Sequence, residues 1–186
     1  MKISVAGFDP AFANWGIAEG QLDLDTGLLD DVNLSIVQTK KGTNKQVRTN
    51  SDDMQRSEDI ALSAFEVGRR NKVIFVECPV GSQNASGMKA YGVSVGVLGA
   101  LRSQGYQVIE VTAYEVKKAL TGNKNASKEL MIQTAMELYP NANWPKRGGE
   151  VIAGKAEHMA DALGAIHAGV NTPVFQNLMR LLIEVS

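Results

Sequence analysis

One apolar run constrains this chain more than any other feature: residues 3–8, which end on a single carboxylate, Asp9. The run is short and carries Ile3, Val5 and Phe8, so it predicts a buried strand. Pro10 ends its pairing, and small or turn-forming residues follow until Trp15, Gly16 and Ile17 open a second strand. An acid at the tip of a buried strand is costly unless something neutralises it. A metal ion or a substrate group would do so. A turn residue that merely caps its own loop is the other reading of Asp9, and residues 3–17 alone leave both open.

The same pattern returns at 72–77, a second apolar run that ends on Glu77 before Cys78 and Pro79. Between the two, strand-like segments at 15–24 and 32–39 complete a three-stranded antiparallel meander with turns at 9–14 and 25–27. Residues 40–53 are polar, hold Lys40, Lys41, Lys45 and Arg48, and lack periodicity. They predict a mobile loop able to touch a polyanion. Ile60, Ala61, Ala64, Phe65 and Val67 fall at helical spacing and predict a helix over 54–70. A helical crossover sets strand 72–77 parallel to strand 3–8. If those strands are neighbours, Asp9 and Glu77 leave the same end of the sheet, where α/β folds place their sites.

Beyond Glu77 a glycine- and serine-bearing loop leads to a helix over 88–104. Its Gly92, Gly96 and Gly99 would permit close approach of another backbone. A strand at 107–111 follows, then helices 113–121 and 128–138 with Thr112 and Ser127 as N-caps. The Pro, Gly and Asn content of 140–154 predicts a loop. Helix 155–168 carries Glu157, His158 and Asp161 on one face. Asp161 sits among Ala160, Ala162 and Ala165, so it would be an acid in want of a partner, or else surface decoration. An amphipathic helix over about 173–185, with Val174, Phe175, Leu178, Leu181 and Leu182 on one stripe, closes the chain. The expected fold is one α/β domain over 1–186: a five-stranded mixed sheet, three antiparallel strands then two parallel, with helices on both faces.

Charge enters through its distribution. The net charge of −1 excludes a globally basic protein. Residues 1–66 hold 11 acids against 6 bases, while 117–155 hold 7 bases against 3 acids. The basic region suits a local phosphate-binding face, and it suits solvated helix surfaces equally. Cys78 stands alone, which excludes an internal disulfide framework and points to a reducing compartment. It reads as a small buried hydrophobe, and His167 as a structural residue. No signal-peptide pattern and no apolar run of transmembrane length is present, so a soluble cytoplasmic protein is expected.

Together these residues resemble the RuvC-type Holliday-junction resolvases of the ribonuclease H-like superfamily. The resemblance rests on Gly7-Phe8-Asp9-Pro10 with Gly16, on Val76-Glu77 at a strand end, and on His158 with Asp161-Ala162-Leu163 late in the chain. Asn84, Gly92, Val116-Lys117, Gly122 and Lys128 extend it, so it spans roughly 3–168. It implies a metal-dependent endonuclease that hydrolyses phosphodiesters in four-way or branched DNA. Its metal-binding acids fall on Asp9, Glu77 and Asp161, with His158 as a fourth position. Two Mg²⁺ ions, replaceable by Mn²⁺, are expected, with Asp9 shared between them. His158 would be a weak ligand or a proton-transfer group. Lys117 and Lys128 fall where the family contacts DNA, and charge clustering adds Lys89, Lys118 and Lys124, with 40–48 as an outer arm. A homodimer follows from the two symmetric cuts that a four-way junction requires, through helix 88–104 or, failing that, the last helix. The loop after Glu77 lacks the aromatic wedge that the family can use, and Val80 stands nearest. Loops 40–53 and 140–154 and the last helix do not align with the family.

Three other readings compete. Sugar kinases and actin-like ATPases share this superfamily, but they need a second domain and a glycine-rich adenosine loop. A non-catalytic module for branched DNA would keep the lysines and dispense with the acids. A ribonuclease H-like nuclease on other DNA or RNA would use the same acids.

Overall fold

A computed structural model of the chain describes residues 1–44 and 46–184. Three antiparallel strands open it: β1 (Lys2–Asp9), β2 (Asn14–Asp23) and β3 (Leu29–Gln38). Helix α1 (Thr49–Arg70) crosses to β4 (Val73–Glu77), and α2 (Ala85–Ser103) crosses to β5 (Val108–Val111). The sheet order is β3-β2-β1-β4-β5. β1 pairs antiparallel with β2 and parallel with β4, and β4 pairs parallel with β5. This is the mixed sheet expected from the sequence. Helices α3 (Ala113–Thr121), α4 (Lys128–Leu138), α5 (Ala153–Gly169) and α6 (Pro173–Glu184) complete the chain.

Side chains alternate across each strand, and the alternation divides the core in two. Val5, Val73, Phe75, Ile109 and Val111 face α3, α4, α5 and α6. Ala6, Phe8, Ile74, Val76 and Val108 face α1 and α2. Helix α5 has no exposed residue from Ala156 to Gly169, and it meets the sheet through small residues such as Ala162 and Gly169. It lies so close to the sheet that a Cβ added to Gly7 would stand 2.0 Å from the Ala162 carbonyl oxygen. One added to Gly16 would stand 2.2 Å from that of His158. Only glycine admits that contact, and the contact fixes the position of α5 over β1 and β2.

Helix α1 begins at Thr49, inside the stretch whose polarity predicts a loop. Its first turn faces solvent, so no apolar periodicity marks it. Helix α2 begins at Ala85, capped by the Asn84 side chain, which accepts from the Gly87 N–H at 2.8 Å. Thr112 and Ser127 cap α3 and α4 as expected, Thr112 in a full capping box with Glu115.

The 140–154 stretch is not a simple loop. It folds back as a hairpin, β6 (Lys146–Arg147) and β7 (Glu150–Val151), through Gly148 and Gly149. Both glycines have positive φ, 61° and 87°, as a two-residue type I′ turn demands. Tyr139 ties this region to the sheet. Its hydroxyl accepts from the Leu29 N–H at 3.3 Å and stands 2.8 Å from His167 Nε2. Burial lowers the His167 pKa, so a neutral, structural imidazole accepts the Tyr139 proton. No described helix is long and apolar enough to cross a membrane.

Candidate active site

The register aims the two strand-end acids at one place. Phe8 lies beside Val76 on parallel neighbouring strands, so Asp9 and Glu77 are the next residues on each. Adjacent strands run about 4.8 Å apart. By alternation both side chains fall on the α5 face, in line with Val5 and Gly7 and with Val73 and Phe75. Helix α5 runs antiparallel to β1, with His158 over Gly16 and Ala162 over Gly7. It therefore delivers His158 and Asp161 to the strand end from above. His158 Nδ1 stands 2.6 Å from Asp9 Oδ2. Residues more than 140 positions apart in sequence thus converge.

Burial and the neighbouring carboxylates raise the pKa of Glu77 and of Asp161. Glu77 is pushed up to about 8, first by burial and then by Asp9 and Asp161, with Lys117 offsetting part of it. Asp161 is pushed up to about 7 by burial, Asp9 and Glu157, against His158 and Lys117. The hydrogen bond to Asp9 raises the His158 pKa against the opposing cost of burial. Three oxygen-donor carboxylates with too little positive charge around them fit a hard divalent cation, which takes one or two carboxylates and keeps several waters. Among the described residues no three His, Cys, Asp or Glu side chains stand close enough to hold an ion as they are placed. A closed tetrahedral cage of the structural-zinc kind does not fit this donor set.

The expected phosphate-binding lysines divide. Lys117 is half-buried and close enough to act on both Glu77 and Asp161. Lys128 bonds Glu157 at 2.5 Å, beside the acids. Lys89 bonds Asp53 at 2.7 Å. Lys124 is exposed on the loop before α4. Lys118 shares a groove with Ala168, Asn171 and Thr172, at the far end of α5 from the acids. The eight residues of helix from Asp161 to Gly169 span about 12 Å. In the 40–48 arm, Lys40 and Lys41 are exposed, and Lys45 lies outside the described residues.

A brace on the turn after Asp9 has no counterpart in the sequence motifs. The Arg56 guanidinium lies 3.9 Å over the Phe12 ring and donates from Nε to the Thr39 hydroxyl at 3.1 Å. That hydroxyl donates in turn to the Phe12 carbonyl. No spacing rule links positions 12, 39 and 56, and only the fold brings them together. Burial raises the Cys78 pKa, which keeps it a thiol and not a nucleophile. Val80, on the loop after Glu77, is 86% exposed.

A five-stranded mixed sheet with acids at the ends of its first and fourth strands and on a late helix is the ribonuclease H-like architecture. Among the solved structures that resemble it are two of RuvC. One, of Thermus thermophilus RuvC, is 22% identical over 96% of this chain and 97% of its own, with a TM-score of 0.63. Another, T. thermophilus RuvC in complex with a Holliday junction substrate, is 20% identical over 96% of each chain, with a TM-score of 0.64. At such identity the likeness is one of fold. No family model matches the sequence, and no curated protein sequence matches it either.

Proposed function

We propose that this chain is a metal-dependent, structure-selective endonuclease that cuts four-way or otherwise branched DNA by phosphodiester hydrolysis. The observation that carries the reading is the convergence of Asp9, Glu77, Asp161 and His158 at one end of a RuvC-like sheet. Mg²⁺, or Mn²⁺ in its place, would supply neutralisation of the scissile phosphate and an acidified water when bound. Asp9 would be shared between two ions, with Glu77 and Asp161 each holding one and His158 alongside.

In the hydrolysis the water oxygen bonds to phosphorus, the bond to one sugar oxygen breaks, and that oxygen gains a proton. Unless it serves as a metal ligand, His158 would take up the proton lost by the water. Its Nδ1 is engaged by Asp9, so Nε2 is the atom that accepts. Lys117 adds positive charge at the edge of the site, where the scissile phosphate brings negative charge. Cleavage of a panel of four-way junctions, other branched DNA and RNA–DNA hybrids, with Mg²⁺, Mn²⁺ or EDTA, tests the reading. Metal-dependent cutting of junctions over the others supports it, and junction binding with no cleavage in any metal returns the chain to a non-catalytic module.

Lys117 and Lys128 are the lysines best placed for phosphate. Lys128 would exchange its Glu157 partner for DNA. Removing one phosphate-bound lysine charge flattens the dependence of log affinity on log salt by about 0.9. Lys117→Ala and Lys128→Ala are each expected to show that change in anisotropy titrations, and Lys118→Ala to show none.

The protein would act as a homodimer, one site per cut strand. Gly92, Gly96 and Gly99 support α2 as the contact, since no atom lies within 4 Å of a Cβ built on any of them. Light scattering is expected to give a mass near twice 20.0 kDa, and Gly96→Arg to halve it. A monomer both free and on a junction would count against two-site cutting.

A further inference from the structure

The β6–β7 hairpin takes no part in the acid cluster, yet its base is firmly built. Trp144 is buried and donates its indole N–H to the Tyr139 carbonyl at 2.9 Å. Asn143 accepts from the Leu34 N–H at 2.7 Å and donates to the Leu34 carbonyl at 2.9 Å, so it docks on β3 much as another strand would. The Ile152 N–H closes the neck on the Pro145 carbonyl at 2.8 Å. Beyond that neck every residue from Lys146 to Glu150 is exposed. So short a two-stranded ribbon adds little stability of its own. An anchored, rigid projection of this kind contributes through what it touches.

Its chemistry and its place indicate what that is. Lys146 and Arg147 form β6, and among the described residues neither makes an ion pair. Glu150 stands opposite Arg147 in register, and Lys155 follows in the first turn of α5. The segment 146–155 therefore holds three bases and one acid. Because α5 runs antiparallel to β1, the hairpin that leads into α5 lies at the sheet end where Asp9 and Glu77 emerge. Six residues of helix separate Ile152 from His158, about 9 Å. That is roughly three base-pair steps of duplex at 3.4 Å each. The tip residues Gly148 and Gly149 carry no side chain able to read a base edge.

We infer that the hairpin is a basic finger that grips the phosphate backbone of a duplex arm flanking the cut, with Lys146 and Arg147 each on one phosphate. The inference rests on the reading of this chain as a branched-DNA nuclease. Guanidinium and ammonium groups on a rigid ribbon suit phosphate oxygens, and contacts of this kind set position without sequence preference.

The test uses the full chain and a four-way junction, in two measurements: anisotropy without divalent metal at 50–200 mM salt, and single-turnover cleavage with Mg²⁺ at saturating protein. The variant Lys146→Gln/Arg147→Gln is expected to bind more weakly, with a salt slope shallower by about two. Its affinity deficit should then shrink about tenfold between the two salt limits. Glu150→Gln is expected to bind more tightly than the unaltered chain. Cleavage at saturation should stay within about twofold in both, since the finger touches no reacting atom. Unchanged affinity and slope in both variants, with normal cutting by the unaltered chain, would overturn the finger alone. A fall in saturated cleavage with affinity intact would also overturn it. An unaltered chain that neither binds nor cuts the junction would overturn the nuclease reading and the finger together.

Discussion

Asp9→Asn, Glu77→Gln and Asp161→Asn are each expected to abolish junction cleavage while junction affinity stays within a few-fold. Each exchange keeps the side chain's size and removes the charge that would hold a divalent cation. Affinity should persist because it comes from basic groups and DNA shape, not from the acids. Binding without metal should even tighten, since one carboxylate fewer repels the scissile phosphate. Loss of cleavage should exceed roughly a thousandfold, beyond the 10–100-fold typical of groups that only orient a metal ligand. His158→Ala should lose roughly 10²–10⁴-fold if the imidazole moves a proton, and should match the acids if it is a full ligand. Single-turnover assays across Mg²⁺ concentration measure all four. Wild-type rate and metal demand in Asp9→Asn would return Asp9 to the role of a turn residue.

The second large effect is on stability, and its sign follows from the raised acids. Glu77 and Asp161 ionise near pH 4 in an unfolded chain, and only near 8 and 7 in the fold. Between those limits the folded state holds more protons, so stability falls as pH rises from about 4 to 8. His158 adds to the trend. Its pKa is raised by Asp9, so its contribution is full below about 6.5 and is lost as pH climbs through the folded value. Asp161 contributes to the raised Glu77 pKa, so Asp161→Asn should relieve Glu77 in part. At pH 8.5 in EDTA, Glu77→Gln is expected to be more stable than the unaltered chain by a few kcal/mol, at about 1.4 kcal/mol per pKa unit. That is on the order of 5–10 °C in Tm for a chain of this size, and it should vanish near pH 4.5. Mg²⁺ should raise the Tm of the unaltered chain at pH 8.5 and that of Glu77→Gln much less. Thermal melts showing flat stability from pH 5 to 8.5 would rule out the strained acid cluster.

These two expectations draw on different layers of the molecule. The strand-end acids were legible because apolar runs that stop on Asp9 and Glu77 break the rule that charge stays out of cores. Helical spacing likewise put His158 and Asp161 on one face, and the single crossover through α1 made β4 parallel to β1. The strand order needed only short connections and right-handed crossovers, so the mixed sheet was legible too. Local chemistry sufficed at the caps: Thr112, Ser127 and their partners three residues on act within one turn.

What required the tertiary structure depends on contacts between distant segments. The His158 clamp on Asp9, the Lys128–Glu157 pair and the Arg56–Phe12–Thr39 brace join side chains that no periodicity relates. Whether a lysine faces the acids or the far end of α5 turns on about 100° of rotation per residue along a helix, which parts Lys117 from Lys118. The first turn of α1 and the 146–151 hairpin were not legible in the sequence because both face solvent, and periodicity reports only on the side that is buried. Sequence by itself determined the strand-end and helix-face positions of the acids and the order of the elements. The approach of α5 over Gly7 and Gly16, set by backbone contact and visible only in three dimensions, decided that His158 and Asp161 come to the strand end that carries Asp9 and Glu77.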